Sequence, residues 1–509
     1  MCGIVAIYGD RASEWALRLD NMMDKLNHRG PDDRGKYVGG NVALGQTRLS
    51  IVDVAGGKQP IFNEDGRACV ICNGEIYNHR ALRDGLSGHS FRTASDTEAI
   101  LHVFEEEGEG AVSRLDGMFA FVLYDGKDIL VARDPLGIKP LYQGHRDGCV
   151  FFASELKALE GMVDGIREFP PGHYYSSRAG AGLVQYYHIP RGTADGGGGD
   201  EDAITAMIRQ RLTEAVEKRL MSDVPLGVFL SGGIDSSILA AIARRYFDRL
   251  DSFSVGVEES IDLKYARVVA RFLGTDHHEF IYTRDDVVEA LPQVIYHLES
   301  FDPALVRSAI PTYFVSRLAR EHVKVILTGE GADEAFAGYL YFKDIDRKEA
   351  LQDESIRILS GLHNLNLQRV DRATMAHSIE GRVPFLDVDF LKHVIAIDPR
   401  LKLAGEGRME KWLLRKAFAG YLPEEVLWRT KMEFADGSGS AQLVGDFAEN
   451  EISDAEFEEQ KEAFKDISLV SKEELYYLKL FQGFFGTDGV HRVVGRWRGR
   501  FIEGGDSQV

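Results

Sequence analysis

Over the first 190 residues the apolar positions fall in short alternating runs, at 3–8, 42–51, 68–72, 118–124, 129–132 and 150–153, separated by glycine and polar clusters. Runs of that length and period predict β-strands. Two stretches, 15–26 and 97–107, repeat instead at the helical period. Grouped strands with few helices predict packed sheets with helices outside, an α+β sandwich. From residue 201 the pattern changes. An amphipathic helix at 203–220 precedes apolar runs at 225–230, 252–257, 278–282 and 323–328, which alternate with helical stretches such as 262–273 and 308–320. Such alternation predicts an α/β domain with a doubly wound parallel sheet. Between the halves, Arg191-Gly192-Thr193-Ala194-Asp195-Gly196-Gly197-Gly198-Gly199-Asp200 reads as a linker, so domains are expected at 1–190 and 201–509. Past about residue 440 acidic helices are expected, with the last few residues frayed.

A length of 509 residues agrees with more than one core. A net charge of -20 argues against a general nucleic-acid or bilayer surface. No apolar run approaches the roughly 18 residues of a membrane span, and no basic segment leads into an apolar one near the start, so a cytoplasmic protein is expected. The four cysteines, Cys2, Cys69, Cys72 and Cys149, are too few for a disulfide framework. Cys69 and Cys72 have metal-site spacing, but a strand would point them to opposite faces and no second pair exists, so they read as structural.

The run Pro225-Leu226-Gly227-Val228-Phe229-Leu230 leads into Ser231-Gly232-Gly233-Ile234-Asp235-Ser236-Ser237 and then a helical stretch. Strand, glycine turn and helix make a phosphate cradle. The glycines let backbone N–H groups approach an anion, the helix N-terminus adds positive potential, and the serine hydroxyls donate to phosphate oxygens. Asp235 would repel phosphate unless Mg²⁺ lies between them, so the loop calls for a metal-bound nucleotide. Ser-Gly-Gly-x-Asp-Ser resembles the pyrophosphate loop of ATP pyrophosphatases, which cut ATP between the α and β phosphates to adenylate an oxygen.

Cys2 follows an initiator Met1 that is readily removed before a small residue, which would leave a thiol with its own α-amine as base. Four polar clusters gather at predicted strand ends: Arg29-Gly30-Pro31-Asp32, Arg48-Leu49-Ser50-Ile51, Asn73-Gly74-Glu75-Ile76-Tyr77-Asn78 and Ser95-Asp96-Thr97-Glu98. Met-Cys-Gly-Ile with those clusters in that order resembles the class II glutamine amidotransferase domain, of N-terminal-nucleophile hydrolase fold. The resemblance implies that Cys2 attacks the glutamine carboxamide, with Asn73 and the Gly74 N–H as oxyanion hole. It implies a glutamine site of Arg48, Leu49, Ser50, Ile51, Val52, Asn73, Gly74, Glu75 and Asp96. Arg48 would hold the α-carboxylate and Asp96 the α-ammonium, with Glu75 alongside.

Both features in one chain, in this order, resemble the glutamine-hydrolysing asparagine synthetases over nearly all of residues 1–440. Thr328-Gly329-Glu330-Gly331-Ala332-Asp333-Glu334 looks like that family's second nucleotide motif. The resemblance implies ATP contacts from Phe229, Ser231, Gly232, Gly233, Asp235, Ser236, Val255, Thr328 and Gly329, and Mg²⁺ on Asp235 and Asp333. It places Arg307 and Glu330 at the carboxylate substrate and gives catalytic roles to Glu330 and Lys431. The substrates implied are glutamine, aspartate and ATP, the assembly a homodimer, and an internal passage would carry ammonia, though Met118 reads by itself as core. Glu380-Gly381-Arg382-Val383-Pro384-Phe385-Leu386-Asp387 is expected to wall the pocket. The chain departs from many bacterial members at Ala304-Leu305, where they carry Thr-Thr. A relative amidating another carboxylate, the β-lactam synthetases included, is opposed by Cys2 with its full glutamine set. A glutamine sensor is opposed by Asp235, Glu330, Asp333 and Lys431.

Overall fold

The computed structural model describes residues 2–178, 182–192, 200–405, 407–432, 434–486 and 489–496. The expected linker at 191–200 lies outside the described residues over 193–199, as do residues 497–509 of the expected frayed end. Among the described residues the first half contains twelve strands: β1 (Cys2–Tyr8), β2 (Asp33–Gly39), β3 (Val42–Arg48), β4 (Ile61–Phe62), β5 (Cys69–Ile76), β6 (Gly117–Tyr124), β7 (Ile129–Arg133), β8 (Tyr142–Arg146), β9 (Cys149–Ala153), β10 (Asp164–Glu168), β11 (His173–Ser176) and β12 (Gly182–Gln185). They form two antiparallel sheets of six, in the orders β10-β8-β9-β1-β3-β2 and β12-β11-β7-β6-β5-β4.

Side-chain alternation explains the layering. Ile4, Ala6, Val42 and Leu44 of one sheet meet Cys69, Ile71, Ala120 and Val122 of the other in a core between the sheets. The opposite faces are covered by helices. Val5 and Ile7 pack under Leu19, Met22 and Met23, while Val70, Cys72, Phe119 and Phe121 pack under Ile100, Val103 and Phe104. Cys69 and Cys72 thus face different cores, and all four cysteines are buried and free. The strands missed in sequence are polar edge or hairpin strands such as β2, whose residues alternate between exposed and half-buried and carry little apolar signal. The helix expected over 15–26 is broken into Ala12–Trp15, a 3₁₀ turn Ala16–Arg18, and Leu19–Asp24.

The second half carries a five-stranded parallel sheet in the order β15-β14-β13-β16-β17, with β13 (Leu226–Phe229), β14 (Asp251–Gly256), β15 (Asp276–Ile281), β16 (Val325–Leu327) and β17 (Glu380–Arg382). Helices Ile234–Ala243 and Ile261–Leu273 bury Ile238, Leu239, Ile242 and Val269 against Val228, Val325 and Leu327. On the other face, helices Arg284–Leu298 and Pro303–Ala319 cover Phe253, Val255 and Ile326. Their starts are written locally. Thr283 and Asp286 form a reciprocal capping box, and Asp302 accepts from the Leu305 N–H at 2.9 Å with Pro303 in the first helical turn. The segment expected as a pocket wall instead contributes β17, with Leu386 beyond it packed against Gly331.

The halves meet through buried groups. One apolar core contains Leu49, Ile51, Tyr77 and Met118 together with Leu230, Ile234, Val383 and Phe385. Beside it, fully buried Arg29 pairs with Glu155 at 2.6 Å and with Asp371 at 2.8 Å, and Arg372 pairs with Glu155 at 2.8 Å and Glu299 at 3.0 Å. Lys157 completes the ring through Glu155 and Glu299. No helix among the described residues is long and apolar enough to cross a membrane.

Candidate active sites

Two groups of candidate residues are separately assembled. The first lies where β1, β3 and β5 come together. Cys2 opens β1 opposite Arg48, the last residue of β3. The Cys2 backbone nitrogen donates to Asn73 Oδ1 at 3.1 Å, so the candidate nucleophile and the candidate oxyanion donor are neighbours. That bond turns the amide of Asn73 so that its Nδ2, buried, has no hydrogen-bond partner among the described residues. A buried donor left without a partner costs folding free energy, which is how a site for a transient anion is marked. Gly74 follows at φ +154°, and a Cβ there would stand 2.0 Å from the Met118 carbonyl oxygen, so only glycine fits. Burial pushes the Cys2 thiol up, against a Leu49 backbone hydrogen bond and the Arg48 charge.

Arg48 is buried and donates to the carbonyls of Val52, Asp53 and Val54 at 2.7–3.1 Å, which curls the Leu49-to-Val54 loop around its guanidinium. Ser50 is held by a 2.8 Å bond from its N–H to Asp32. A Cβ on Gly57 would meet Arg48 Nη2 at 2.6 Å and Ser95 Cβ at 3.3 Å, so the Arg48 and Asp96 clusters converge. Burial raises the Asp96 carboxyl to about 6, although it accepts the Ile76 N–H at 2.7 Å. Burial likewise drives Glu75 well above the usual carboxylate range, with Glu380 and Asp96 adding repulsion and Arg382 opposing it. Glu75 therefore sits in a buried acidic cluster between the halves.

The second group lines a cleft of about 810 Å³ at the carboxyl ends of the parallel strands, a size suited to a nucleotide with a small substrate. Phe229, Ser231, Gly233, Asp235, Ser236, Val255, Thr328, Gly329, Glu330, Asp333, Arg307 and Lys431 all line it, as do Ala304 and Leu305. Gly232 does not line the cleft. Its φ of +68° and its packing 2.5 Å from the Ala266 nitrogen, measured from a built Cβ, make it the turn that shapes the loop. The hydroxyls of Ser231 and Ser236 lie 3.1 Å apart, and the Ser231 N–H donates to Ser236 Oγ at 3.2 Å, which preforms the cradle.

Asp235, in the first turn of its helix, and Asp333 are bridged by one ammonium: Lys411 Nζ lies 2.5 Å from Asp235 Oδ2 and 2.8 Å from Asp333 Oδ1. Lys431 Nζ also reaches Asp333 Oδ1 at 2.5 Å. These two lysines outweigh burial and hold the Asp333 carboxyl far below its usual range, whereas burial keeps Asp235 raised. Asp235 Oδ1 is buried with no hydrogen-bond partner among the described residues. A cation held between two carboxylates, with one oxygen to spare, is a donor set that fits Mg²⁺. Glu330 pairs with Arg369 at 2.5 Å, and burial raises its carboxyl despite that partner. Arg307 Nε donates to Glu473 Oε1 at 2.8 Å, so the arginine expected at the substrate is held by helix Lys472–Phe484.

Lys411 and Arg369 carry no signal in the sequence strong enough to single them out. Arg369 lies in helix Asn366–Met375, whose Gln368, Arg369, Asp371 and Arg372 are all buried, so its polar face looks solvent-exposed until the fold is known.

Residues 1–169 match the glutamine amidotransferase domain family, and residues 207–356 and 343–486 match the asparagine synthase family. The chain is 42% identical over 97% of its length to an Arabidopsis thaliana protein named asparagine synthetase [glutamine-hydrolyzing] 2, covering 89% of that protein. It is 41% identical over 98% of its length to a Dictyostelium discoideum probable asparagine synthetase [glutamine-hydrolyzing], covering 96% of it. Identity at this level over whole chains, with both family matches in the same order as the two sites, places the chain in the family of glutamine-hydrolysing asparagine synthetases.

Proposed function

We propose that this protein amidates L-aspartate to L-asparagine with ammonia from glutamine, consuming ATP and releasing AMP and pyrophosphate through a β-aspartyl-AMP intermediate. Residues 1–190 would be the glutaminase and 201–509 the synthetase, joined by 191–200, in a cytoplasmic homodimer. The single observation that carries this reading is that one chain brings together a buried Cys2–Asn73 pair and a nucleotide-sized cleft lined by Asp235, Glu330, Asp333 and Lys431.

With Met1 removed, the Cys2 nitrogen becomes a free α-amine on the same residue as the thiol, takes the thiol proton as Cys2 Sγ attacks the glutamine carboxamide, and passes it to the departing amide nitrogen. Asn73 Nδ2 and the Gly74 N–H then donate to the developing oxyanion. Arg48 and Asp96 hold the amino-acid end of glutamine, and Leu49, Ser50, Ile51, Val52 and Glu75 shape the rest of the site. Ammonia leaves through the apolar core that joins Met118 to Leu230, because in water it would be captured as ammonium. In the cleft, Ser231, Gly233 and Ser236 cradle the phosphates on the turn that Gly232 shapes, while Phe229, Val255, Thr328 and Gly329 position the nucleotide. When bound, Mg²⁺ would be held by Asp235 and Asp333 and would neutralise phosphate charge. Arg307 orients the aspartate, Lys411 and Lys431 offset negative charge on the leaving groups, and Glu330 takes a proton from the attacking ammonia. Incubation with Mg-ATP, aspartate and amide-labelled glutamine, followed by mass spectrometry, tests the reading. Labelled asparagine with matching AMP and pyrophosphate is expected, whereas glutamate with no AMP would overturn the synthetase assignment.

A further inference from the structure

Far along the helix that follows Asp96, four side chains converge without a role in either site. His102 and Glu105 stand one turn apart on helix Glu98–Glu107, Glu64 comes from the turn after β4, and His89 from the loop before the helix. One nitrogen or carboxylate oxygen from each lies within 4.8 Å of those of the other three. His89 Nδ1 is 3.3 Å from Glu64 Oε1 and 3.4 Å from Glu105 Oε2, while His102 Nδ1 is 2.7 Å from Glu105 Oε2 and 3.8 Å from Glu64 Oε2. A tetrahedron with metal–ligand bonds of about 2.0–2.1 Å has edges of about 3.3–3.4 Å, the length of the two His89 contacts, while Glu64 turns a different oxygen to each histidine.

The surroundings match as well. Both imidazoles present the same nitrogen inward, and their outer nitrogens face carboxylates: His89 Nε2 meets Glu106 at 3.0 Å, and His102 Nε2 lies 3.6 Å from Glu98. Carboxylates behind metal-bound histidines fix the ring and raise its basicity. His102 is fully buried, and its Nε2 has no hydrogen-bond partner among the described residues. Further bonds orient the acids: Asn63 Nδ2 donates to Glu105 Oε1 at 2.6 Å and the Ser90 N–H donates to Glu64 Oε1 at 2.7 Å. Four carboxylates around two imidazoles leave the cluster negative whether the rings are neutral or charged, and a divalent cation supplies the missing charge.

We propose that Glu64, His89, His102 and Glu105 bind one Zn²⁺ as a structural site. Four protein ligands leave no open position for catalysis, so the ion clamps the two loops to the helix whose preceding residues carry Asp96. Binding displaces any proton from the inward nitrogens, which then donate their lone pairs to the metal.

The test uses the full-length protein stripped with a chelator and dialysed, then titrated with ZnCl₂ alone and, separately, with CoCl₂. Wild type is expected to bind one zinc per chain at this site, to give the intense visible spectrum of tetrahedral cobalt, and to melt at higher temperature with zinc. His89→Gln and Glu64→Gln, at partly exposed positions that spare the buried His102, should lose that equivalent and the zinc-dependent shift while melting as the stripped wild type does. Glu106→Gln should bind about 10- to 100-fold more weakly. Zinc taken up equally by wild type and both variants, or none taken up by wild type, would overturn the assignment and leave a hydrogen-bonded His–Glu cluster.

Discussion

Replacing Asp371 with asparagine should destabilise the protein out of proportion to the single charge removed. Asp371 binds Arg29 through two bonds, 2.8 Å from Nη1 and 3.1 Å from Nη2, and both side chains are buried. Arg29 would keep Glu155 at 2.6 Å, but the neutral amide could answer only part of its donor set and Lys139, 3.7 Å from Asp371, would lose its acid. Breaking one side of a buried pair costs about 3–5 kcal/mol, because the partner charge stays in a medium that solvates it poorly. At about 2 °C per kcal/mol for a domain of this size, the melting temperature should fall by roughly 6–10 °C. The double variant Arg29→Met with Asp371→Leu removes both charges and fills the space, and should recover most of the loss. The assay is thermal unfolding of wild type, the Asp371→Asn, Asp371→Leu and Arg29→Met single variants, and the double. Additive losses, with the double variant the least stable, would refute the claim that desolvated pairing governs this interface.

Protonation of Asp96 should weaken glutamine binding on its proposed role: with the carboxyl raised to about 6, the KM for glutamine should rise as pH falls through about 6, while Asp96→Asn shows a high KM across that range. Stability moves oppositely, since the folded protein holds this proton more tightly than the unfolded chain. Asp96 therefore favours folding at pH below its unfolded value near 4, and that contribution is lost as pH rises through about 6. Lys411→Met should reduce ATP–pyrophosphate exchange by about 10²–10³-fold and leave glutaminase activity, because it strips the bridging charge from Asp235 and Asp333; full exchange would show that Lys431 suffices. Gly74→Ala should abolish glutaminase activity, since its Cβ would press the Met118 carbonyl at 2.0 Å, and normal turnover would contradict the strand geometry.

Local signals in the chain reached most of the chemistry. Glycine spacing after an apolar strand marks the Ser231 loop, and polar clusters at strand ends mark the stretches that hold Asn73 and Arg48, whose individual roles come from the family resemblance because Asn73 meets Cys2 across 71 positions. Lys411 was hidden because its acids are distant in sequence, Asp235 by 176 positions and Asp333 in the separate short helix Ala332–Ala335. Arg29 and Asp371 meet across 342 positions, and although Arg29 stands in one of the polar clusters, nothing beside it in the sequence points to Asp371. The third group of hidden features, β17 and the short edge strands, comes from segments whose polar residues satisfy a neighbour rather than water.

The account rests on a division of labour between two sites joined by ammonia, and the most direct measurement is asparagine formation by Cys2→Ala with glutamine and, separately, with ammonium as nitrogen source. The variant should make asparagine from ammonium at the wild-type rate and none from glutamine. Loss of both activities in a folded variant, or asparagine from glutamine without Cys2, would contradict it.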